Sequence, residues 1–171
     1  MFRRETLLQL GGYRDVEWPE DYDLYLRADQ AGIAMGKPEG VLLRWREHEG
    51  RLTHTDERYS RLRFQQAKAH FLAQGRLTDS PILILGAGPS GRQMHDLLLS
   101  EGRKVAGFID VHPRRIGGLK RNKPVWGADN PSKWPEGFIL VAVGSRGARV
   151  EISEFLSSCG LHESRDYLFV A

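Results

Sequence analysis

The sequence is poor in cysteine and has no long hydrophobic run. Its 171 residues include one cysteine, Cys159, so an internal disulfide is excluded. No apolar stretch approaches the roughly 20 residues that a membrane-spanning helix needs. The first 13 residues also lack the apolar core and the small-residue cleavage site of a secretory signal. We therefore expect a cytoplasmic protein without a membrane span.

The sequence also lacks a strong charge of either sign. Its 25 lysines and arginines against 22 acidic residues give a formal net charge of +3 at pH 7. One local excess of basic residues contains no acid, and it comprises Arg114, Arg115, Lys120, Arg121 and Lys123. No aromatic or helical pattern accompanies this excess. It therefore reads as a solvated loop, and we predict no nucleic-acid partner.

Metal-ligating residues do not fall at any familiar spacing. Structural and catalytic zinc sites draw histidine and cysteine from short, regular intervals. The histidines of the first part of the chain do not follow such a pattern, as is seen from His48, His54 and His70. We predict no metal site.

What the sequence does contain is a strand, a glycine turn and a helix in residues 81–99, PILILGAGPSGRQMHDLLL. The apolar run over residues 82–85 predicts a buried strand. Gly86, Gly88 and Gly91 follow it in the G-x-G-x-x-G spacing, which suits a tight turn, a close phosphate and close helix packing, in that order. The next helix would present free N–H groups to an anion, and we count Ser90 with the three glycines among the predicted nucleotide-binding residues. This stretch predicts a phosphate-binding loop.

Strand and helix patterns alternate from residue 80 to the end, which predicts an α/β fold with a small Rossmann-like parallel sheet. We predict helices over residues 88–101 and 148–158. The further strands are predicted over residues 104–110, 124–126, 138–143 and 167–170. A basic loop is expected over residues 113–122.

Two turns at strand ends supply the remaining candidate ligand contacts of this domain. Asp110 ends its strand 19 residues after Gly91, close to the spacing at which an acid binds a ribose hydroxyl. A simple turn role for this aspartate stays open. The later turn places Gly144, Ser145 and Arg146 at a strand end, where a hydroxyl and a guanidinium suit phosphate or carboxylate.

The first part of the chain is predicted to be mostly helical. We expect helices over residues 2–10 and 20–30, a strand over residues 40–45, and a helix from residue 55 or 56 to 73. Residues 76–80 form the predicted linker between domains 1–75 and 81–171. Acidic side chains crowd the start of the second helix, where they either suit the helix dipole or supply a general base.

Three segments of this part occur in the order of a known family. They are FRRETLLQLGGYRD, WPEDYDLYLRADQAG and GVLLRWREHEGRLT, and together they resemble the second half of a family 2 glycosyltransferase of the GT-A fold, over about residues 1–74. The resemblance implies that Asp21 is the base that deprotonates the acceptor hydroxyl and that Glu20 supports it. It implies an acceptor and diphosphate side formed by Asp23, Arg27, Arg46 and His48.

The donor-binding half of that family, with its metal-binding D-x-D motif, has no counterpart in residues 1–171. We therefore expect a truncated GT-A segment and no sugar transfer by this chain alone. The missing GT-A half is a candidate partner, and a homo-oligomer is another.

The second part carries a different likeness. The segments ILILGAGPSGRQMHDLLLSEGRKVAGFIDVHP, KPVWGADN and FILVAVGSRGARVEISEFLSSCGL resemble the Rossmann-like N-terminal domain of PglD-type sugar acyltransferases. In those proteins the equivalent segments surround a UDP-sugar. The hexapeptide-repeat β-helix that carries acyl transfer is absent from the sequence, so the likeness implies ligand binding only.

Taken together, the two resemblances imply a glycosyltransferase-derived protein of bacterial polysaccharide biosynthesis whose second domain binds a nucleotide or nucleotide-sugar. A UDP-sugar and NAD(P) both remain candidate ligands. One alternative is an NAD(P)-dependent oxidoreductase or epimerase, although none of the five tyrosines begins a Tyr-x-x-x-Lys pair. The other is a domain that only tethers or dimerises.

Overall fold

The computed structural model describes residues 2–75, 77 and 80–171. The chain forms two compact units that divide between Phe71 and Leu72. The predicted domain limits at residues 75 and 81 stay a prediction. Most of the predicted linker, namely residues 76, 78 and 79, lies outside the described residues.

Unit 1, which ends at Phe71, is helical wherever it is regular. Its α-helices are α1 (Arg4–Gln9), α2 (Glu20–Gln30), α3 (Leu52–Thr55) and α4 (Arg61–Gln74), and a 3-10 turn spans Glu57–Tyr59. Alanines from α2 and α4 pack in its interior with Leu24. The Trp18 ring lies 5.2 Å from the ring of His70 and 6.4 Å from that of Phe71, which covers one side of α4.

The strand predicted over residues 40–45 is wrong. This segment is irregular and its residues are exposed, including Val41, Leu42 and Trp45. Gly40 has a φ of +81°, which breaks an extended run at its start. A strand also needs a neighbouring strand to hold its N–H and C=O groups, and the described residues of unit 1 contain none. Arg46 and His48, the acceptor-side residues that the resemblance implies here, therefore lie on no strand.

The helix predicted from residue 55 or 56 to residue 73 corresponds to α4, which begins later than predicted. The side chain of Asp56 accepts a hydrogen bond from the Arg58 N–H at 2.9 Å and two more from the Arg58 guanidinium. This local pairing caps the 3-10 turn rather than a long helix. Ser60 then has extended backbone angles, so α4 starts at Arg61.

Unit 2 has the α/β fold that the sequence predicts. Its strands are β1 (Ile82–Leu85), β2 (Val105–Asp110), β3 (Leu119–Lys120), β4 (Lys123–Gly127), β5 (Phe138–Val141) and β6 (Tyr167–Phe169). Its helices are α5 (Pro89–Ser100) and α6 (Ala148–Ser158), with a 3-10 turn over Pro131–Lys133. The sheet order is β3-β4-β2-β1-β5-β6, and every pair is parallel except β3 with β4.

The order of the strands places a switch point between β1 and β5. From β1 the chain builds outward through β2 and β4, and it then returns to the other side of β1 to add β5 and β6. All four residues of β1 and all four of β5 are buried, as expected for central parallel strands covered on both faces. Each large apolar side chain fully buried there contributes about 1.5–3 kcal/mol.

The sequence predicts a strand over residues 124–126, where β4 lies, but a basic loop over residues 113–122 in place of β3. The two strands form a short antiparallel hairpin. Its turn uses Arg121 at a φ of +51° and Asn122 at +58°. Such a two-residue turn is usually recognised by Asn-Gly or Asp-Gly, and Arg-Asn carries no such signal. No helix in the described part of the chain is long and apolar enough to cross a membrane.

Candidate functional site

The loops that leave β1, β2 and β5 begin at one edge of the sheet. The Ala142 N–H donates to the Leu85 carbonyl at 2.8 Å, and the Gly86 N–H donates to the Ile109 carbonyl at 2.7 Å. These bonds hold the carboxyl ends of three neighbouring parallel strands level. Open α/β sheets bind ligands at this edge, beside the switch point. The predicted phosphate loop, Asp110 and the turn after β5 all start here.

Two of the three glycines in the loop are required by the fold itself. Gly86 has a φ of +106°, and a Cβ there would lie 2.9 Å from Val143 Cγ2. A Cβ on Gly91 would lie 1.8 Å from the Gly86 carbonyl oxygen, so only glycine lets α5 approach the turn. These are the turn and packing roles predicted from the spacing.

Gly88 differs from both of its neighbours in the motif. Its φ is −74°, which any residue adopts. Among the described residues beyond its chain neighbours, a Cβ on Gly88 would meet one atom within 4 Å, the Arg115 Nη1 at 3.8 Å, which is an ordinary contact. Neither backbone conformation nor packing among the described residues requires glycine at this position.

Asp110 is buried beneath the glycine loop and is fully engaged. Its Oδ2 accepts hydrogen bonds from the Ala87 N–H at 2.8 Å and from Arg115 Nη1 at 2.9 Å. Its Oδ1 accepts a third from the His112 N–H at 2.8 Å. The side chain is only 4% exposed. Asp110 therefore ties the loop after β1 to the turn after β2.

The surroundings of Asp110 favour its charged form. Burial raises the pKa of the carboxyl, but the bonds from the His112 N–H, the Arg115 guanidinium and the Ala87 N–H outweigh it. The net result is a pKa below the usual range for aspartate. The carboxylate is thus a permanent partner for Arg115 at neutral pH.

Two arginines flank the loop, and neither was predicted as a site residue. Arg92, on α5, donates to the Ala87 carbonyl at 2.9 Å. Arg115 pairs with Asp110 and is 34% exposed. Arg92 follows Gly91 directly, and Arg115 lies five residues after Asp110. Closeness in sequence to these predicted site residues is the only sequence signal that could have identified the two arginines. Arg115 was instead predicted to be part of a solvated basic loop.

The turn after β5 is open. Gly144, Ser145 and Arg146 are all exposed, and Gly147 precedes α6 with a φ of +84°. Within the described ranges, the side chains of Ser145 and Arg146 have no hydrogen-bond partner. The turn begins at the same sheet edge as the glycine loop, but no contact between their side chains brings them together. Their predicted role in ligand binding stays a prediction.

A cavity of about 440 Å³ opens beside the Asp110 turn. Its walls are mostly apolar and come from the segments that follow β2 and β4, namely Val111, Pro113, Ile116, Ala128 and Asp129. Its volume falls in the range of small-molecule sites. This cavity continues the candidate site along the sheet edge, away from β5.

In unit 1, the predicted residues Asp23 and Arg27 form a buried ion pair. Arg27 Nε donates to Asp23 Oδ2 at 2.7 Å. The Arg27 side chain is 7% exposed and the Asp23 side chain is 2% exposed. Arg27 also donates to the carbonyls of Leu10 and Gly12, the latter at 2.7 Å. The pair therefore fastens the end of α1 to α2, and the structure gives it no open face.

The predicted base and its support lie at the start of α2. Glu20 accepts a hydrogen bond from the Tyr59 hydroxyl at 3.2 Å. Burial, with the charge of Glu20, raises the pKa of Tyr59. Asp21 is exposed, and its Oδ1 accepts from the Tyr22 N–H at 2.7 Å. Both carboxylates thus sit in the acidic first turn that suits a helix dipole, and their catalytic role stays a prediction.

Arg46 and His48 belong to the irregular, exposed segment of unit 1. Across the part of the chain that the structure describes, no hydrogen bond or ion pair joins either of them to Glu20 or Asp21. A cavity of about 520 Å³ in this unit is lined by residues in and just before α1, such as Phe2, by Tyr25 of α2, and by the segment after α2, which includes Met35. None of the predicted acceptor-side residues lines it.

No cluster of three or more potential metal ligands occurs among residues 2–75, 77 and 80–171. The charged groups of the glycine-loop site are two arginines and one aspartate, of which Arg115 is paired with Asp110 and Arg92 donates to the Ala87 carbonyl. That set of groups suits an anionic organic ligand rather than a cation.

Comparisons with known proteins give fold-level neighbours only. No family model matches the chain, and no curated protein matches it. Two solved structures of RSP, a Rex-family repressor, one of them in complex with β-NADH, overlap with a TM-score of 0.43 each. Their identities are 13% and 12%, over 99% of this chain and 86% of the other. Overlap at this level is too low to transfer a ligand to this chain.

Proposed function

We propose that unit 2, from Leu72 onward, is a nucleotide-binding domain whose phosphate site is the loop between β1 and α5. The observation that carries the proposal is Gly88. The fold explains its two companions in the motif, whereas a Cβ at position 88 would clash with no atom of the described residues outside its own chain neighbours. A glycine that the fold does not need is accounted for by a ligand that approaches its backbone.

The charge around the loop supports an anionic ligand. The N-terminus of the 12-residue helix α5 carries a partial positive charge, although its first residue, Pro89, has no N–H to donate. Among the described residues, the N–H of Gly88 has no partner. Arg92 and Arg115 add two guanidinium groups beside the loop. Phosphate is the ligand group that such an arrangement binds best.

The cavity beside Asp110 supports a ligand larger than phosphate. Its apolar walls from Val111, Pro113 and Ile116 suit the face of a base or a sugar ring. A nucleoside diphosphate that places its phosphates on the glycine loop would direct the rest of the molecule along the same sheet edge. The chemical class that fits is therefore a nucleotide or a nucleotide-sugar.

Among these ligands we propose a UDP-sugar first and NAD(H) second. The support for the sugar nucleotide is the resemblance of residues 81–171 to the UDP-sugar-binding domain of PglD-type acyltransferases. The support for NAD(H) is the G-x-G-x-x-G spacing, which dinucleotide-binding domains share. For unit 1 we propose descent from the acceptor side of a GT-A glycosyltransferase, supported by its three motifs in family order.

A thermal-shift experiment on the whole chain tests the proposal. UDP, UDP-N-acetylglucosamine, NADH and NADPH would each be added well above the expected dissociation constant, with uridine and adenosine as controls that lack phosphate. A ligand at a hundred times its dissociation constant stabilises the folded chain by about 2.7 kcal/mol. We expect a shift with at least one diphosphate ligand. The same melting temperature with all four would contradict the proposal.

The two ligand classes separate in the same experiment. A shift with UDP and its sugar that exceeds the shift with NADH supports the sugar-nucleotide domain, and the reverse order supports a dinucleotide domain. For unit 1, transfer of sugar from UDP-N-acetylglucosamine by the purified chain would contradict our expectation that residues 1–171 alone are inactive.

A further inference from the structure

Arg115 is placed to contact the ligand of the proposed phosphate loop. Apart from Gly88 and its chain neighbours, its Nη1 is the only atom of the described residues within 4 Å of the position that a Cβ on Gly88 would take. It reaches there from the turn after β2, five residues beyond Asp110. A positive charge thus lies beside the face of the loop that the fold leaves open.

The hydrogen-bond donors of Arg115 are mostly unused. A guanidinium has five N–H donors in a planar fork. One nitrogen, Nη1, donates to Asp110 at 2.9 Å. Within the described ranges, Nε and Nη2 have no partner, and the side chain is one-third exposed. The residue can therefore bind a further anion without leaving Asp110.

Asp110 is unsuited to binding the ligand directly. Its two oxygens already accept three hydrogen bonds from within the protein, and the side chain is buried. What it provides is a fixed negative charge that holds the Arg115 side chain in one place. A long side chain loses less entropy on binding when its position is already fixed.

We propose that Arg115 binds a phosphate of the nucleotide with the donors that Asp110 leaves free, and that Asp110 positions it. This inference rests on the proposed function and adds a residue to its site. It gives Asp110 a positioning role in place of the ribose contact predicted from its spacing. It also makes the site selective for ligands with phosphate, because the contribution of Arg115 is absent for a nucleoside.

Calorimetry and NMR titration of the whole chain test this proposal. The variants are Arg115→Gln and, as the matched control, Arg114→Gln, which removes the same charge one residue away. The Arg114 side chain is exposed and has no partner in the described part of the chain. The ligands are UDP and ADP, each compared with its own nucleoside. The melting temperature without ligand confirms that each variant is folded.

We expect Arg115→Gln to weaken the better-bound diphosphate on the order of ten- to hundredfold, as loss of a charged hydrogen bond does. Nucleoside binding should change less than about twofold, and Arg114→Gln should change either ligand by no more than that. A diphosphate affinity of Arg115→Gln equal to that of Arg114→Gln would overturn the assignment.

The two proposals fail in different ways. If the wild-type chain binds neither diphosphate, the proposed function is wrong and the role of Arg115 falls with it. If the wild type binds and Arg115→Gln matches the control, only the role of Arg115 is wrong. Should Arg115→Gln not fold, Arg115→Lys keeps the charge opposite Asp110 but loses the planar fork. Wild-type diphosphate affinity in that variant would then overturn the assignment.

Discussion

Each unit of this protein contains a buried aspartate paired with a nearby arginine. The two pairs differ in how many N–H donors of the arginine have no partner among the described residues. In unit 1, Arg27 is itself buried, and its donors go to Asp23 and to the carbonyls of Leu10 and Gly12. In unit 2, one nitrogen of Arg115 donates a hydrogen bond to Asp110, and the Arg115 side chain is one-third exposed. We call the Asp23–Arg27 pair closed because both side chains are buried, and the Asp110–Arg115 pair open because its arginine is partly exposed.

A buried aspartate is therefore not by itself evidence of a ligand-binding site. A closed pair holds two segments of chain together and contributes to stability. An open pair holds a charged side chain still while donors remain for a ligand. Substitutions in both units test this contrast, beginning with the one expected to destabilise the protein most.

Asp23→Ala should destabilise the protein most. It leaves the Arg27 guanidinium buried without its counter-charge, which costs about 3–5 kcal/mol. Urea unfolding measures this loss in the free energy of unfolding. Asp21→Ala, on the exposed side of the same helix, is the matched control and should cost less than about 1 kcal/mol. Equal losses in the two variants would show that the Asp23–Arg27 pair is not a structural fastening.

Gly91→Ala and Gly88→Ala should differ in stability although they lie in one loop. A Cβ at 91 would lie 1.8 Å from the Gly86 carbonyl oxygen, and the backbone must move to accept it. We expect a loss of about 3 kcal/mol for Gly91→Ala. Gly88→Ala should change the unfolding free energy by less than about 0.5 kcal/mol. A large loss at Gly88 would mean that the fold does require this glycine.

Asp110→Asn should cost about 2 kcal/mol at pH 7, because the bonds from Ala87, His112 and Arg115 lose a charged acceptor. The folded pKa of Asp110 lies below its unfolded value, so its stabilisation is complete above the unfolded pKa of about 3.9. That stabilisation is lost as the pH falls through the folded pKa. The gap between wild type and variant in urea unfolding should therefore narrow from pH 7 to pH 3. A constant gap would contradict the pKa direction.

Arg121→Ala should have the smallest effect. Arg121 and Asp96 form another arginine–aspartate pair, and here both side chains are nearly half exposed. Exposed pairs contribute about 0–1 kcal/mol. Thermal unfolding should shift by no more than a few degrees, and diphosphate binding should be unchanged. A loss as large as that of Asp110→Asn would show that exposure does not rank these pairs.

The sequence predicts the fold of unit 2 well because its signals are local. The buried run of β1, the glycine spacing and the β-α alternation are each readable within a few residues. The prediction misses Arg115 because its partner comes from the end of a strand, and only the turn between them brings the two together. Likewise, the Ala87 N–H after β1 donates to Asp110 at the end of β2. The sequence spacing typical of a ribose-binding acid does not predict this hydrogen bond.

The strand predicted in unit 1 shows the opposite limit. Residues 40–45 carry a local signal for a strand, but a strand also needs a partner to take its backbone hydrogen bonds. The described part of that unit supplies none, and the segment stays irregular. Its apolar side chains are exposed for the same reason, from Val41 to Trp45.

The central claim is that the face of Gly88 is left open for a phosphate-bearing ligand. Titration calorimetry of UDP, UDP-N-acetylglucosamine and NADH into wild type and Gly88→Ala tests it most directly, with Gly36→Ala as a control at an open glycine of unit 1. We predict that Gly88→Ala melts with the wild type yet binds the best ligand about tenfold more weakly or worse, since overpacking costs about 1–3 kcal/mol. A folded Gly88→Ala variant with wild-type affinity would contradict the claim.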